Sequence, residues 1–162
     1  MKGGNGMSNR MITISREFGS GGRTIGRETA QKLGIPCYDV VRRSLHPGLP
    51  LDHPEKGHPG SGGKKSCVIV GRCADYILGD THDCLKVFIH ADLQKRAKRI
   101  VQVYGEREES PEKRLRDKDK RRKAYYRFYT DTEWGVAQNY HIALDSGVLG
   151  IETCVKLIAD LY

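Results

Sequence analysis

The sequence has no apolar run long enough to cross a membrane. Its longest, Cys67 to Val70, contains four residues, whereas a spanning helix needs about 20. The first ten residues include basic side chains, but no apolar segment of a secretory signal follows them. We therefore expect no membrane partner, a cytoplasmic location and a flexible terminus at 1–10.

The sequence also has no Cys-x-x-Cys pair, and its five cysteines are odd in number. These absences argue against a disulfide framework and against a zinc ribbon, so we predict reduced and mostly buried thiols. His53, His58, Cys67 and Cys73 could in principle supply four metal ligands. Their spacing matches no common zinc motif, and we prefer a loop without a metal.

What the sequence does have is an excess of basic residues. Its 162 residues include 28 Lys and Arg against 20 Asp and Glu, for a formal net charge of +8. The length suits one domain, which we place at 11–162. The positive charge favours polyanionic partners such as nucleotides, nucleic acid or anionic lipid.

Short apolar runs alternate with amphipathic stretches along the chain. This alternation predicts an α/β fold with a five-stranded, mainly parallel sheet and helices on both faces. We expect helices at 24–33, 93–104, 111–129 and 151–161, and the start of another at 40–45. The expected strands are 11–15, 35–38, 67–70, 85–89 and 140–144.

The segment 46–65 interrupts this alternation. It is rich in Pro, Gly and His and has almost nothing apolar to bury, so we predict a flexible loop within the single domain.

A glycine-rich loop lies between the first strand and the first helix. Its backbone N–H groups and the positive end of the helix could bind a phosphate, although a tight turn that binds nothing is the alternative. The standard P-loop lysine is missing, because Gly22 stands in its place and Arg16 replaces the first glycine of that pattern. A cation could come from Arg16 or Arg23. The candidate phosphate-binding residues are Arg16, Gly19, Ser20, Gly21, Gly22, Arg23 and Thr24.

Five stretches in order are more specific than this loop alone. They read ITISREFGSGGRTIGRETAQKLGIPCYD, CVIVGRCADYIL, KVFIHADLQKR, DKDKRRKAYYRFYT and NYHIALDSGVLGIETCVKLI. Together they resemble the cytidylate kinase-like family of P-loop nucleoside monophosphate kinases. The resemblance implies a P-loop kinase core, ATP with Mg²⁺ as phosphoryl donor, and CMP or dCMP as acceptor.

The resemblance also implies roles for individual residues. It places the Thr24 hydroxyl toward Mg²⁺, Arg72 toward the acceptor phosphate as a catalytic cation, and Asp75 toward the acceptor's sugar or base. A surface salt bridge for Arg72 and a helix cap for Asp75 are the alternatives. Asp39, at the end of the second strand, is a further acceptor-binding candidate, and an ordinary turn aspartate is the alternative.

The basic segment 106–130 corresponds to the lid of such kinases. We take Lys118, Arg121 and Arg122 as catalytic lid cations, because phosphoryl transfer depends on cations directed at developing charge. A solvated helix face with ion pairs is the alternative. The aromatic residues in 125–129 could pack in the core or, next to these cations, bind nucleic acid, a partner that we do not favour.

The loop 46–65 stands where the family has a longer, helical acceptor-binding insertion. This difference implies a shortened acceptor-binding region, and positioning and water exclusion depend on such regions. The leading hypothesis is a phosphotransferase. The alternatives are a catalytically impaired nucleotide- or phosphate-binding protein of the same fold and, less favoured, a nucleic-acid-binding protein.

Overall fold

The structure is a computed structural model that describes residues 10–39, 66–71, 73–79 and 83–162. The predicted helix at 40–45, the whole loop 46–65 and residues 1–9 of the predicted flexible terminus lie outside these residues. The strands are β1 Met11–Arg16, β2 Cys37–Asp39, β3 Cys67–Val70, β4 Cys84–His90 and β5 Ile142–Asp145. The helices are α1 Gly22–Leu33, α2 Ala74–Gly79, α3 Leu93–Tyr104, α4 Pro111–Thr130, α5 Ser146–Leu149 and α6 Ile151–Leu161, with a 3₁₀ turn at Ala137–Asn139.

The strands form one parallel sheet in the order β2-β3-β1-β4-β5. Its central strand is β1, in which Met11 pairs with Cys67 of β3 and with Cys84 of β4. The predicted five-stranded parallel sheet is thereby confirmed. Since β1 lies in the middle, the loop that follows it emerges at the centre of the carboxyl edge.

Alternate residues of β1 point to opposite faces of the sheet, and helices cover both faces. Ile12 and Ile14 join the main core with Ile25 of α1 and Ile158 of α6. On the opposite face Met11 packs against a cluster that includes residues of α2. The expectation of helices on both faces is confirmed.

Local signals fix several helix ends. Asp92 accepts hydrogen bonds from the backbone N–H groups of Gln94 and Lys95, and Ser110 accepts one from Lys113. These are the N-caps expected for α3 and α4. The first helix begins at Gly22, two residues before the predicted start, so part of the glycine loop belongs to its first turn.

None of the five cysteines is in a disulfide, and all but Cys37 are buried, in agreement with the prediction of mostly buried thiols. Burial raises the pKa of Cys67 to about 11, which keeps this thiol protonated at neutral pH. The described residues contain no cluster of His, Cys, Asp and Glu that could hold a metal ion. Nor does any helix within them have the length and apolarity needed to cross a membrane.

Candidate functional site: an arginine-lined cleft at the glycine loop

The loop between β1 and α1 leaves a group of backbone donors free. Gly19 and Gly21 have φ angles of 79° and 82°, which favour glycine and turn the chain sharply into α1. In the described part of the chain, no acceptor binds the backbone N–H of five loop and first-turn residues. Unpaired N–H groups at a helix N-terminus are suited to an anion. The five residues are Gly19, Gly21, Gly22, Arg23 and Thr24.

A cleft of about 230 Å³ lies beside this loop. We call it the arginine cleft, because five arginines line it: Arg16, Arg23, Arg27, Arg99 and Arg122. Glu17 is the single acidic residue among the described residues that line it. Its carboxylate already contacts Arg96 at 3.3 Å and accepts a hydrogen bond from the Ala91 N–H at 3.1 Å. The cleft is therefore strongly cationic.

Arg16 occupies the space next to Gly22. A Cβ at position 22 would lie 2.5 Å from the Arg16 Cβ and 2.7 Å from its Cγ, so the two residues cannot both carry side chains in this arrangement. Further along, Arg16 Nη1 would lie 2.6 Å from a Cβ at Gly71. The side chain of residue 16 thus runs past position 22, where the standard pattern has lysine, and places its cation at the carboxyl end of β3.

Two of these arginines have a lowered pKa. Burial lowers the pKa of Arg16 to about 10, with a further contribution from the charge of Arg122 and partial opposition from Asp39. Burial also lowers the pKa of Arg122. Both side chains stay charged at neutral pH, and the shifts indicate that their charges are poorly solvated. A bound anion would relieve this cost.

Asp39 ends β2 between two of these arginines. Its Oδ2 forms an ion pair with Arg23 Nε, and its Oδ1 lies 3.9 Å from Arg16 Nη2. Oδ1 is buried and has no hydrogen-bond partner among the described residues. The structure therefore brings Asp39 to the glycine loop, as its position at a strand end suggested. The contact of Asp39 with an acceptor stays a prediction.

The Thr24 hydroxyl accepts a hydrogen bond from Arg99 Nη2 at 3.2 Å. Mg²⁺ in nucleotide sites is usually held by one or two carboxylates together with phosphate oxygens. The described residues around Thr24 provide no free carboxylate and instead place a guanidinium against the hydroxyl. This arrangement does not fit a magnesium site built by the protein, so the expected contact of Thr24 with Mg²⁺ finds no support in the geometry.

Helix α4 brings one of its three predicted lid cations into the arginine cleft. Arg122 Nη1 donates a hydrogen bond to the Arg16 carbonyl at 2.8 Å, and its guanidinium lies 5.6 Å from the Phe18 ring centroid. Lys118 Nζ lies 5.8 Å from the same ring. Arg121 is exposed and is not among the described residues that line the cleft.

A buried ion pair fixes α4 to the loop. Arg96 of α3, 7% exposed, donates to Asp119 Oδ2 at 2.6 Å and to the Phe18 carbonyl at 3.2 Å. Asp119 Oδ1 in turn accepts a hydrogen bond from the Phe18 N–H at 2.8 Å. Asp119 and Arg96 therefore hold the backbone of Phe18 from both sides, and they tie α3, α4 and the loop together.

Asp75 lies away from the arginine cleft. It is 2% exposed, accepts a hydrogen bond from the Tyr126 hydroxyl at 2.7 Å and a longer one from Ser15 at 3.4 Å, and borders a separate cavity of about 310 Å³ with Lys86 and His141. The hydrogen bond from Tyr126 joins α2 to α4. The contact of Asp75 with the acceptor's sugar or base stays a prediction. Arg72 lies outside the described residues.

The family model that matches this sequence is that of the cytidylate kinase-like family, over residues 11–45 and 60–148. The chain belongs to the cytidylate kinase-like family. The match includes the whole glycine loop and α4, and its gap falls inside the segment 46–65. Membership supports a nucleotide kinase-like function and, in general, the use of ATP and Mg²⁺. No curated protein sequence shows a significant match.

Solved structures similar to this cytidylate kinase-like chain share its fold. An uncharacterized protein from Eubacterium ventriosum is 27% identical, with a TM-score of 0.75 over 94% of this chain and 97% of that one. Shikimate kinase from Acinetobacter baumannii, in complex with shikimate, is 15% identical, with a TM-score of 0.55 over 96% and 93%. Shikimate kinase from Bacteroides thetaiotaomicron is 15% identical, with a TM-score of 0.50 over 94% and 96%. The five-stranded α/β core is thus a kinase fold.

Sequence reasoning missed Arg27 and Arg99 of this cytidylate kinase-like site. Arg27 follows Arg23 by four residues and therefore lies on the same face of α1, a spacing that could have identified it. Arg99 follows the buried Arg96 by three residues on α3, but only the packing of α3 beside the loop brings it to Thr24. No local pattern signals that contact.

Proposed function

We propose that this chain transfers the γ-phosphoryl group of ATP to CMP or dCMP in the cytoplasm. The observation that carries the proposal is a set of five backbone N–H groups beside the arginine cleft that have no acceptor among the described residues. Such donors bind phosphate oxygens whatever the base, while the family membership supports a nucleotide as their source.

Phosphoryl transfer requires little covalent chemistry from the protein. In-line attack by the acceptor phosphate on the γ-phosphorus needs positioning and positive charge but no protein nucleophile. The loop N–H groups would bind the donor phosphates, and Arg16 and Arg122 would stabilise the charge that develops during transfer. Mg²⁺, when bound, would supply further neutralisation of the phosphates and would be held mainly by the nucleotide's own oxygens.

The acceptor side of the proposal rests on fewer contacts. Asp39 at the end of β2 forms an ion pair with Arg23 in the first turn of α1, and an acceptor bound there could reach the donor. Arg72 remains a proposed phosphate ligand. Asp75 remains a proposed ligand of the acceptor's sugar or base, with its carboxylate held by hydrogen bonds from Ser15 and Tyr126.

The test is coupled ADP release with ATP and each of CMP, dCMP, UMP and AMP. Turnover should be highest with CMP or dCMP. Arg122→Ala should lower kcat by about 10²-fold, since it removes a cation directed at the transferring group, while the exposed Arg121→Ala should change kcat less than threefold. Absence of turnover with every monophosphate would reject the catalytic proposal.

A second candidate is a nucleotide-binding protein of the same fold that does not catalyse transfer. The hydrogen bond of Arg99 to Thr24 favours it, because this contact occupies the hydroxyl expected to assist the metal. Calorimetric binding of ATP without transfer to any monophosphate would select this candidate.

A further inference from the structure

We propose that Arg99 takes over the role of a metal ion at Thr24, so that the arginine cleft binds a nucleoside triphosphate or other polyphosphate without needing Mg²⁺. The inference rests on the proposed function in one respect, that phosphate oxygens occupy the glycine loop. It concerns binding, and it leaves open the metal requirement of the transfer step.

The position of Arg99 is the first support. Its Nη2 donates to Thr24 Oγ1 at 3.2 Å, and a Cβ at Gly21 would lie 3.2 Å from its Cζ and 3.4 Å from its Nε. The guanidinium therefore lies against the loop and the first turn of α1. In the family resemblance, the Thr24 hydroxyl at this place would face Mg²⁺ and the terminal phosphates of the nucleotide.

The charge of Arg99 is the second support. Arg16 and Arg23 share Asp39, and Arg96 contacts Glu17 and Asp119. No carboxylate of the described residues lies within ion-pair distance of Arg99. A guanidinium has five N–H donors, and one contact with a neutral hydroxyl leaves most of them available. An anion with several oxygens is the ligand that matches them.

A metal ion at Thr24 is disfavoured by the same arrangement. A divalent cation bound there would lie next to the Arg99 charge, and the described lining of the cleft offers it no uncommitted carboxylate. Both effects oppose magnesium and favour phosphate. The ligand class is therefore a polyphosphate whose negative charge is neutralised by arginines instead of by a bound metal.

Isothermal calorimetry with ATP tests the inference in two buffers, one with excess Mg²⁺ and one with EDTA. Wild-type Kd values in the two buffers should agree within about threefold. Arg99→Ala should weaken binding in EDTA by about tenfold or more, the loss expected for a charge-assisted hydrogen bond, and should weaken it less in Mg²⁺. Lys98→Ala, an exposed neighbour on α3, should change neither value.

Two further variants keep the test decisive if Arg99→Ala unfolds. Arg99→Lys keeps the charge but loses the planar fork, and should bind ATP in EDTA with intermediate affinity. Thr24→Ala should lower the affinity in Mg²⁺ less than threefold. Wild-type binding that disappears in EDTA, or a large loss for Thr24→Ala in Mg²⁺ alone, overturns the inference but leaves the proposed function standing. Absence of ATP binding in both buffers rejects the proposed function itself.

Discussion

Arg16 and Gly22 act as a matched pair in the loop. The Arg16 side chain fills the space that a Cβ at position 22 would enter, so a residue with a side chain at 22 conflicts with the arginine at 16. The sequence revealed that the lysine was missing and that Arg16 was unusual, but it could not show that the two departures from the pattern are one packing solution.

Gly22→Ala should therefore destabilise the protein through this contact. We expect a loss of about 1–3 kcal/mol in the free energy of unfolding, the usual cost of overpacking, together with weaker ATP binding. Urea unfolding measures the first effect. In an Arg16→Gly background the same substitution should cost much less, because the opposing Cβ is gone. Equal costs in both backgrounds would contradict the pairing.

Tyr126 and Asp75 form a second pair whose role appears in the pH dependence of stability. Burial raises the pKa of Tyr126, with a further contribution from the hydrogen bond to Asp75, and burial raises the pKa of Tyr140 to about 12. A free tyrosine ionises near pH 10. The folded state therefore keeps protons that the unfolded state loses. The contribution of these two tyrosines to stability should be fully present below about pH 10 and should be lost progressively as the pH rises above 10.

Tyr126→Phe should reduce that alkaline loss. At pH 7 it should also cost about 1–3 kcal/mol, because a buried carboxylate loses its shorter hydrogen bond. Urea unfolding at pH 7 and at pH 11 measures both effects. A variant that is as stable as the wild type at pH 7 would show that the hydrogen bond contributes little.

At the scale of elements, α4 is docked on the loop. Asp119 accepts the Phe18 N–H and pairs with the buried Arg96, and Arg122 donates to the Arg16 carbonyl. The sequence predicted the start of α4 from Ser110 and Pro111 and its basic character. It could not predict which of its charges meet the loop, because that depends on how α3 and α4 pack.

Asp119→Ala should loosen both α4 and the loop. The substitution removes one partner of a largely buried ion pair, so the positive charge of Arg96 is no longer fully balanced. We expect a loss of about 2–4 kcal/mol in the free energy of unfolding and at least tenfold weaker ATP binding. Chemical denaturation and calorimetry provide the two values. Glu109→Ala breaks an exposed ion pair with Lys113 in the same region and should leave both unchanged. Similar effects for the two variants would argue against a specific role for Asp119.

For the whole molecule, the question is where its excess positive charge acts. Five arginines line a cleft next to the glycine loop. If the loop binds ATP as proposed, its affinity should fall by roughly tenfold between 50 and 200 mM salt through screening. The exposed Phe128, at 81%, lies beside further cations of α4. If that surface binds nucleic acid, single-stranded oligonucleotides should bind with a steep salt dependence. Titration with ATP and with a single-stranded oligonucleotide distinguishes nucleotide binding in the arginine cleft from nucleic-acid binding at the Phe128 surface. We expect no oligonucleotide binding at physiological salt.

Most of the fold could be predicted from the sequence, because the alternation of apolar runs and amphipathic stretches reflects local secondary structure. The strands, the helix caps and the glycine loop all follow from short-range signals. The contacts that define the site join distant residues, as Asp75 and Tyr126 do across 51 positions or Arg99 and Thr24 across 75. The hydrogen bond between Asp75 and Tyr126 could not be predicted for this reason, and the contact of Asp75 with an acceptor stays a prediction.

The central position of β1 affects how the site fluctuates. Backbone amides of β1 have neighbours on both sides, so their hydrogen exchange should require nearly global opening, whereas β2 is a three-residue strand at the margin and should exchange through local opening. Asp39 is attached to that margin and the glycine loop to the centre. The end of β2 that carries Asp39 should therefore open locally while the start of the glycine loop stays ordered.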